Sequence, residues 1–277
     1  MPVVRFTKAH GAGNDFVIVE LSELSALGIG AESVPRFATK ICDRRFGVGA
    51  DGLEVVSPSN DSRAVARLHL WNSDGSEAEI SGNGTRCVAA YLTGAVDAPE
   101  RFSIETGAGV REIERTLAKS PYYEFRMTTD ESECRVLEDQ PVGEGAKLAG
   151  DMTAVHVGNP QFVVRLERLD FEWQTWGPIL ERDPRFPNGT NVSFITVNHK
   201  DRQPPTLEVR FWERGAGATL SSGTGSLGAA FAARHRGWIT DRARILTEGG
   251  ELYVDWEGGM RLTGPAVIVA RGSYEFE

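Results

Sequence analysis

Two serine residues occupy the same local pattern in the two halves of the chain. Ser81 and Ser222 each follow a tryptophan by ten residues, and each precedes a Gly-x-Gly segment and a run of small residues. The small-residue runs predict helices, and the first turn of a helix presents unpaired backbone N–H groups at the positive end of its dipole. Because glycine has no side chain, a ligand can approach this backbone closely. The pattern therefore predicts two helix starts that bind an anion such as a carboxylate, each with a hydroxyl group beside it.

The sequence around the two serines is also repeated. The segment WNSDGSEAEISGNGTRC (71–87) aligns without a gap with WERGAGATLSSGTGSLG (212–228), and the offset of 141 residues continues from IETGAG (104–109) to ILTEGG (245–250). One long repeat indicates a duplicated fold, because a solenoid needs several short repeats. We therefore predict two like domains, face to face, each of which offers a serine and a helix start to a shared cleft.

The elements that must position these residues are mostly short strands. Helices are predicted at 33–42, 84–93, 170–183 and 226–236, and the strands are predicted at 3–6, 16–20, 53–56, 67–71, 101–105, 110–116, 122–127, 153–156, 162–165, 192–197, 252–256, 260–262 and 266–270. The helices are too few for βαβ units. We predict an α+β fold of two pseudo-symmetric domains, each a curved, barrel-like, mostly antiparallel sheet around a central helix. The predicted domains are 1–119 with a returning C-terminal strand in 264–277, and 120–263.

Composition limits the partners of the chain. A net charge of −9 and a pI near 5.2 argue against nucleic acid and anionic membranes, which attract basic surfaces. The three cysteines have neither a metal-binding nor a paired spacing, which is typical of a reduced cytoplasmic protein without disulfides. The sequence contains no recognisable signal peptide and no apolar stretch of about 18 residues. A cytoplasmic protein that binds neither membranes nor nucleic acid is expected.

Seven segments, taken together, resemble the signature blocks of the diaminopimelate epimerase family, in that family's order. They are HGAGNDF (10–16), GVGADG (47–52), NSDGSE (72–77), SGNGTRC (81–87), GNP (158–160), PNGTNV (187–192) and ERGAG (213–217). The resemblance implies two pseudo-symmetric barrel-like halves and a homodimer. It also implies interconversion of LL- and meso-diaminopimelate without a cofactor, in which one thiol removes the α-proton and another, on the opposite face, returns one.

The chain departs from this family pattern at the proton-transfer residues. Ser81 and Ser222 stand where the family has its two catalytic cysteines, Gln161 replaces a histidine, and Ala218 replaces a glutamate. A thiol has a pKa of ~8.5, whereas an unassisted alcohol lies near that of water, ~15.7. Formation of the alkoxide therefore costs on the order of 10 kcal/mol more. A serine needs an adjacent base to replace either thiol.

The residues that hold the substrate in the family are present. The resemblance assigns the two ends of the bis-amino-acid to Asn14, Asn72, Asn159, Asn191, Glu213 and Arg214. The helix starts add Gly82, Asn83, Gly223 and Thr224 as binding residues, and no metal ligand is predicted. A glutamate, an arginine and several amides suit a zwitterionic amino-acid group, because each charge meets a partner.

Other acid–base candidates have structural interpretations. Cys87 is predicted to point into the core, His10 to hold the first turn together, and His69 and His156 to be structural or surface residues of strands. Three accounts of the whole remain open. The chain is a cysteine-to-serine variant of an epimerase, a divergent epimerase, isomerase or lyase with an activated serine, or a non-catalytic protein that binds diaminopimelate or a similar amino acid.

Overall fold

The computed structural model describes residues 1–96, 98–129, 131–139, 148, 150–199 and 204–276. The chain divides into two compact units, Met1–Met127 with Gly264–Glu277, and Thr128–Thr263. The division at 119/120 that the repeat suggests stays a prediction. In the described residues, no helix is both long and apolar enough to cross a membrane.

The first unit is built from the strands of the N-terminal half of the chain and the C-terminal part of the last strand. Its helices are α1 (Leu21–Ala26), α2 (Val34–Cys42) and α3 (Gly82–Val96). Its strands are β1 (Val3–Gly11), β2 (Asn14–Glu20), β3 (Gly52–Ser57), β4 (Ala66–Asn72), β5 (Glu77–Ala78), β6 (Arg101–Thr106), β7 (Gly109–Lys119), β8 (Tyr122–Thr129) and the later part of β17 (Met260–Glu275).

Eight strands of the described part of this unit close into a barrel. Antiparallel pairs join β1 to β2, β3 to β4, β6 to β7 and β7 to β8, and parallel pairs join β2 to β3 and β4 to β6. Strand β17 pairs with both β8 and β1, which completes the ring. The part of β17 from Gly264 onwards belongs to this unit.

Helix α3 lies in the core that the barrel encloses. Cys87, Ala89 and Ala90 are fully buried with the alternate side chains of β2 and β4, including Ile18 and Leu70. Small side chains on this helix allow the surrounding sheet to approach it closely. The other faces of β2 and β3 pack against α2, so these strands are buried on both sides.

The second unit repeats this topology. Its helices are α4 (Trp173–Glu181) and α5 (Gly223–His235). Its strands are β9 (Cys134–Glu138), β10 (Asp151–Val157), β11 (Pro160–Arg165), β12 (Asn191–Asn198), β13 (Thr206–Glu213), β14 (Gly217–Thr219), β15 (Arg242–Thr247), β16 (Gly250–Asp255) and the first residues of β17. The strand pairs follow the same order as in the first unit. The second and fourth pairs, β11 with β12 and β13 with β15, are parallel, and the other pairs from β10 to β17 are antiparallel.

The registers of the two units also match. Trp71 pairs with Glu77, and Trp212 pairs with Ala218, at the same offset as the sequence repeat. At the turns that follow the central helices, the hydroxyl groups of Thr106 and Thr247 each donate to a glycine carbonyl at 2.8 Å. The expectation of two pseudo-symmetric α+β units, each with a barrel-like, mostly antiparallel sheet and a central helix, is confirmed.

Candidate functional site

Each of the two predicted serines caps the central helix of its unit. The N–H of Gly84 donates to Ser81 Oγ, and the N–H of Gly225 donates to Ser222 Oγ, both at 3.1 Å. The serine carbonyls also accept hydroxyl hydrogen bonds from the next turn of each helix, at 2.8 Å and 2.6 Å. A serine is a favoured N-cap because its oxygen satisfies one of the unpaired N–H groups of the first turn. The local geometry of the two helix starts is therefore the same.

In the second unit, the capping serine also contacts a carboxylate. Ser222 Oγ donates to Glu213 Oε2 at 2.8 Å, while Thr219 Oγ1 donates to Glu213 Oε1 at 2.7 Å. Ser222 is only 3 % exposed. Sequence reasoning found Glu213 as a substrate ligand but not as the partner of the serine. The carboxylate is an acceptor for the hydroxyl proton, so this alcohol is not unassisted.

The aligned position in the first unit is different. Asn72 stands at the repeat position of Glu213, and its amide donates to Ser76 Oγ at 2.9 Å. Ser76 in turn donates to Asp74 at 2.6 Å. Within their own units, the two serines therefore have different polar surroundings although their helix caps agree.

The turn after β13 positions two more of the predicted ligands. The N–H of Arg214 donates to Asn191 Oδ1 at 3.0 Å, and Asn191 Nδ2 donates to the carbonyl of Pro160 at 3.2 Å. The guanidinium of Arg214 is exposed and donates to the carbonyl of Asn188 at 3.0 Å. Asn191 therefore orders the turn, and Arg214 keeps further donors available.

Asn159 and Gln161 form a side-chain pair. Gln161 Nε2 donates to Asn159 Oδ1 at 2.6 Å. Gln161 is fully buried against α5, where a Cβ on Gly228 would lie 2.7 Å from its Cγ. Its Oε1 has no hydrogen-bond partner among the described residues. The residue at the family's histidine position thus presents an unused acceptor.

Asn14 is held by a charged network between two glycine-rich loops. Its Nδ2 donates to Asp51 Oδ2 at 2.6 Å, and Arg44 bridges Asp51 and Asp15 at 2.7 Å each. Lys8 also contacts Asp15, at 2.6 Å. Burial would raise the pKa of Asp15, but the hydrogen bonds and charges of Arg44 and Lys8 lower it to about 2.

Beneath the start of α3 lies an acid that sequence reasoning missed. Glu54 is fully buried, and neither of its carboxyl oxygens has a hydrogen-bond partner among the described residues. A Cβ on Gly84 would lie 2.0 Å from Glu54 Oε1. Burial raises the pKa of Glu54 well above its ordinary value. The sequence feature that could have indicated this buried acid is a single charged residue in the apolar run LEVV (53–56).

On the same helix, Asn83 is buried with an arginine. The Asn83 amide oxygen accepts a hydrogen bond from Arg86, whose Nε donates to the carbonyl of Pro265 at 3.3 Å. Arg86 is fully buried, which lowers its pKa to about 10. These contacts hold the second residue of α3 in place.

The remaining candidates lie where the sequence indicated. Cys87 is fully buried, the N–H of Gly13 donates to His10 Nδ1 at 3.4 Å, and His69 stacks on Trp71 with ring centroids 5.7 Å apart. The first-turn residues Gly82, Gly223 and Thr224 are partly exposed. In the described part of the chain, no group of three His, Cys, Asp or Glu residues has an arrangement that holds a metal ion.

Solved structures of other proteins share this fold. A solved structure of a phenazine biosynthesis protein from Bacillus anthracis has a TM-score of 0.73 and 17% identity, with 100% of each chain covered. A hydroxyproline epimerase from Agrobacterium vitis, bound to trans-4-hydroxy-L-proline, has a TM-score of 0.72 and 15% identity, covering 98% of this chain and 92% of the other. At this identity the likeness concerns the fold, which is shared with epimerases.

Sequence comparison then gives the family. The family described as diaminopimelate epimerase matches residues 6–131 and 153–276. A diaminopimelate epimerase from Pelotomaculum thermopropionicum is 38% identical over 288 residues, covering 99% of both proteins. Another, from Carboxydothermus hydrogenoformans, is 37% identical over 281 residues and covers 98% of this chain and 99% of the relative. The chain belongs to the diaminopimelate epimerase family.

Proposed function

We propose that the chain is a cofactor-independent isomerase that moves the proton at the α-carbon of diaminopimelate or a closely similar amino acid. The hydrogen bond from Ser222 to Glu213 at the start of α5 carries this proposal. It supplies the adjacent base that a serine in a cysteine position requires. Membership of the diaminopimelate epimerase family supports the substrate class and the type of reaction.

The proton transfer follows from this pair. Ser222 Oγ takes the α-proton while its own hydroxyl proton passes to Glu213, and the C–H electron pair stays on the substrate as a carbanion delocalised into the carboxylate. No free alkoxide forms, so the cost of on the order of 10 kcal/mol for an isolated alcohol is avoided. The N–H groups of the first turn of α5 stabilise the negative charge that develops on the substrate carboxylate.

Ser81 is proposed to serve the opposite face of the same carbon. Its support is the matching cap of α3, with the same Gly N–H to serine Oγ distance of 3.1 Å. Inversion needs one group to take the proton and another, on the other side, to return one. In this proposal Ser81 is the second group, and its backbone surroundings bind the carboxylate as those of Ser222 do.

The amide and charged residues are proposed to hold the two amino-acid ends. The proposed binding residues are Asn14, Asn72, Gly82, Asn83, Asn159, Asn191, Glu213, Arg214, Gly223 and Thr224. Exposed guanidinium donors on Arg214 and the half-buried amides of Asn14 and Asn159 suit a carboxylate and an ammonium group. The local hydrogen bonds of the asparagines keep these groups ordered before a ligand arrives, which reduces the entropy cost of binding.

Deuterium incorporation tests the proposal. LL- and meso-diaminopimelate are incubated separately with the protein in D₂O, and the α-deuterium content and the epimer ratio are measured. Incorporation with interconversion is expected. Tight binding by calorimetry without incorporation would instead identify a binding protein, and loss of a β-group would identify a lyase.

Paired substitutions separate the loss of thiols from other changes. Ser81→Cys with Ser222→Cys should raise the rate if only the thiols differ from the family pattern. If the double variant is no faster, Gln161 and Ala218 are the residues that limit the rate, and Gln161→His with Ala218→Glu is the next variant.

We also propose that the protein is a cytoplasmic homodimer that binds neither nucleic acid nor membranes. The net charge of −9 supports the absence of anionic partners. Leu117, Tyr122 and Val269, on three strands of the first unit, are 48%, 59% and 57% exposed and provide apolar surface for a second copy. Light scattering after size-exclusion chromatography measures the mass, and a mass of one chain would contradict the dimer.

A further inference from the structure

The turn that carries Glu213 and Arg214 is held at both ends by one carboxylate. Glu181 accepts a hydrogen bond from Trp212 Nε1 at 2.7 Å through one oxygen, and from the N–H of Gly215 at 3.2 Å through the other. The two donors come immediately before and after Glu213 and Arg214 in the chain. A single side chain therefore spans the two residues that the proposed chemistry uses.

The position of the Glu181 carboxylate is itself fixed by packing. Glu181 is the last residue of α4, and its carbonyl accepts the N–H of Thr190 at 3.0 Å. The helix approaches β13 so closely at Gly177 that a Cβ there would lie 2.4 Å from the Trp212 ring. Leu180, the residue before Glu181, is fully buried. Helix α4 therefore sets where the carboxylate lies relative to the turn.

Placement of the turn determines the contact between the acid–base pair. Glu213 ends β13, and its carboxylate must meet both Thr219 and the capping residue Ser222 at 2.7 Å and 2.8 Å. A turn that moves by about 1 Å breaks one of these hydrogen bonds, and misplacement of this size costs on the order of a hundredfold in rate.

In the second unit, Glu181 thus forms a carboxylate clamp, in which one side chain accepts hydrogen bonds from residues on both sides of a turn. Among the described residues of the first unit, no such clamp occurs at the aligned turn. There, the N–H of Ser73 donates to the carbonyl of Asp51 at 2.9 Å, and Gly75 lies against the backbone of Pro35 in α2. That turn carries Asn72 rather than a carboxylate that contacts its capping serine. The clamp therefore occurs in the unit that contains the Ser222–Glu213 pair.

We propose that Glu181 is a positioning residue for the Glu213–Ser222 pair, with a charged carboxylate on α4 holding the turn that presents Glu213 to the serine. The effect of Glu181 on catalysis rests on the function proposed above. Glu181 acts by holding Trp212 and Gly215, and through them the end of β13.

Glu181→Gln tests this role with little change in side-chain size. The amide has one acceptor oxygen and an NH₂ group, so one of the two N–H donors is left facing another donor. Hydrogen exchange of the Arg214 and Gly215 amides should rise about tenfold, and the rate of α-proton exchange should fall about tenfold or more. Glu172→Gln, at the exposed N-cap position of the same helix and without a side-chain capping bond, is the matched control and should change neither.

A second variant distinguishes positioning from general loss of structure. Trp212→Phe removes the indole donor, so the amide of Glu181→Gln no longer opposes it. The effect of Glu181→Gln on amide exchange and on turnover should therefore be several-fold smaller in the Trp212→Phe background than in the wild type. Effects that are equal in both backgrounds contradict the clamp.

The outcomes separate this inference from the proposed function. Amide exchange at Arg214 and Gly215 that is unchanged by Glu181→Gln overturns the inference, whether or not the protein turns over diaminopimelate. Faster amide exchange with an unchanged rate of α-proton exchange also overturns it. A wild-type protein that neither binds nor exchanges diaminopimelate contradicts the proposed function alone, because the amide measurement needs no substrate and still decides whether Glu181 holds the turn.

Discussion

Replacement of the buried acid Glu54 should make the protein more stable and less sensitive to pH. The carboxyl group lies inside the barrel of the first unit, between Ile18 on β2 and Leu70 on β4, and is 0% exposed. Neither oxygen has a hydrogen-bond partner among the described residues. Two variants probe it: Glu54→Gln keeps the shape and cannot ionise, whereas Glu54→Leu also removes the unpaired polar atoms.

The sign of the pH effect follows from the raised pKa of Glu54, which burial causes. The folded state holds its proton at pH values where the unfolded chain, with a pKa of ~4.3, has lost it. The free energy of unfolding is therefore greatest below the unfolded pKa and falls as the pH rises, by at most about 1.4 kcal/mol per pH unit, until the folded pKa is reached. Glu54→Leu adds about 1–3 kcal/mol, since an unpaired buried polar group is removed at similar volume.

Urea unfolding at pH 5, 6, 7 and 8 measures this effect. The difference in the free energy of unfolding between Glu54→Gln and the wild type should grow with pH, by about 1.4 kcal/mol per unit below the folded pKa. Circular dichroism of the native states confirms that both proteins keep the same fold. Parallel curves for wild type and Glu54→Gln would refute the reasoning, because they would show that the acid has the same pKa folded and unfolded.

Three further predictions concern the helix start, the loop network and the serine pair. Gly84→Ala should lower the free energy of unfolding by about 1–3 kcal/mol, because its Cβ would lie 2.0 Å from the buried carboxyl, while Gly30→Ala, with no atom within 4 Å, should cost little; equal losses in urea unfolding would contradict this. Asp15→Asn should lower the free energy of unfolding by about 2 kcal/mol at pH 7, because the folded pKa of Asp15, about 2, lies below the ordinary 3.8. This stabilisation of the wild type is lost as the pH falls from 3.8 to 2. Urea unfolding in which the wild type and Asp15→Asn lose stability equally between these pH values would contradict the prediction. Thr219→Val should slow α-proton exchange about tenfold by removing the hydrogen bond from Thr219 to Glu213, with similar stability; an unchanged rate would mean that Thr219 does not orient the carboxylate.

Features of short range followed directly from the sequence. The central helices and the matching registers of the two units depend on residue type, local spacing and the repeat, although the helices begin at Gly82 and Gly223 rather than at the predicted 84 and 226. A capping serine and the first-turn N–H group it accepts lie three residues apart, so the sequence places them in contact once the helix forms. The sequence predicted two strands at 260–262 and 266–270, whereas the structure has one continuous strand, β17, because Gly264 and Pro265 do not interrupt it.

Contacts between distant segments required the tertiary structure. Glu181 meets Trp212 and Gly215 across 31 and 34 residues, and Glu54 meets the first turn of α3 only because β3 encloses that helix. In a strand, neighbouring side chains point to opposite faces, so a slip of one residue would exchange inner and outer positions. The sequence by itself determined the duplicated fold and the position of a serine just before each central helix. Packing of helix on sheet decided which carboxylate holds the turn after β13 and which acid is buried without a hydrogen-bond partner among the described residues, because those contacts depend on the relative placement of whole elements.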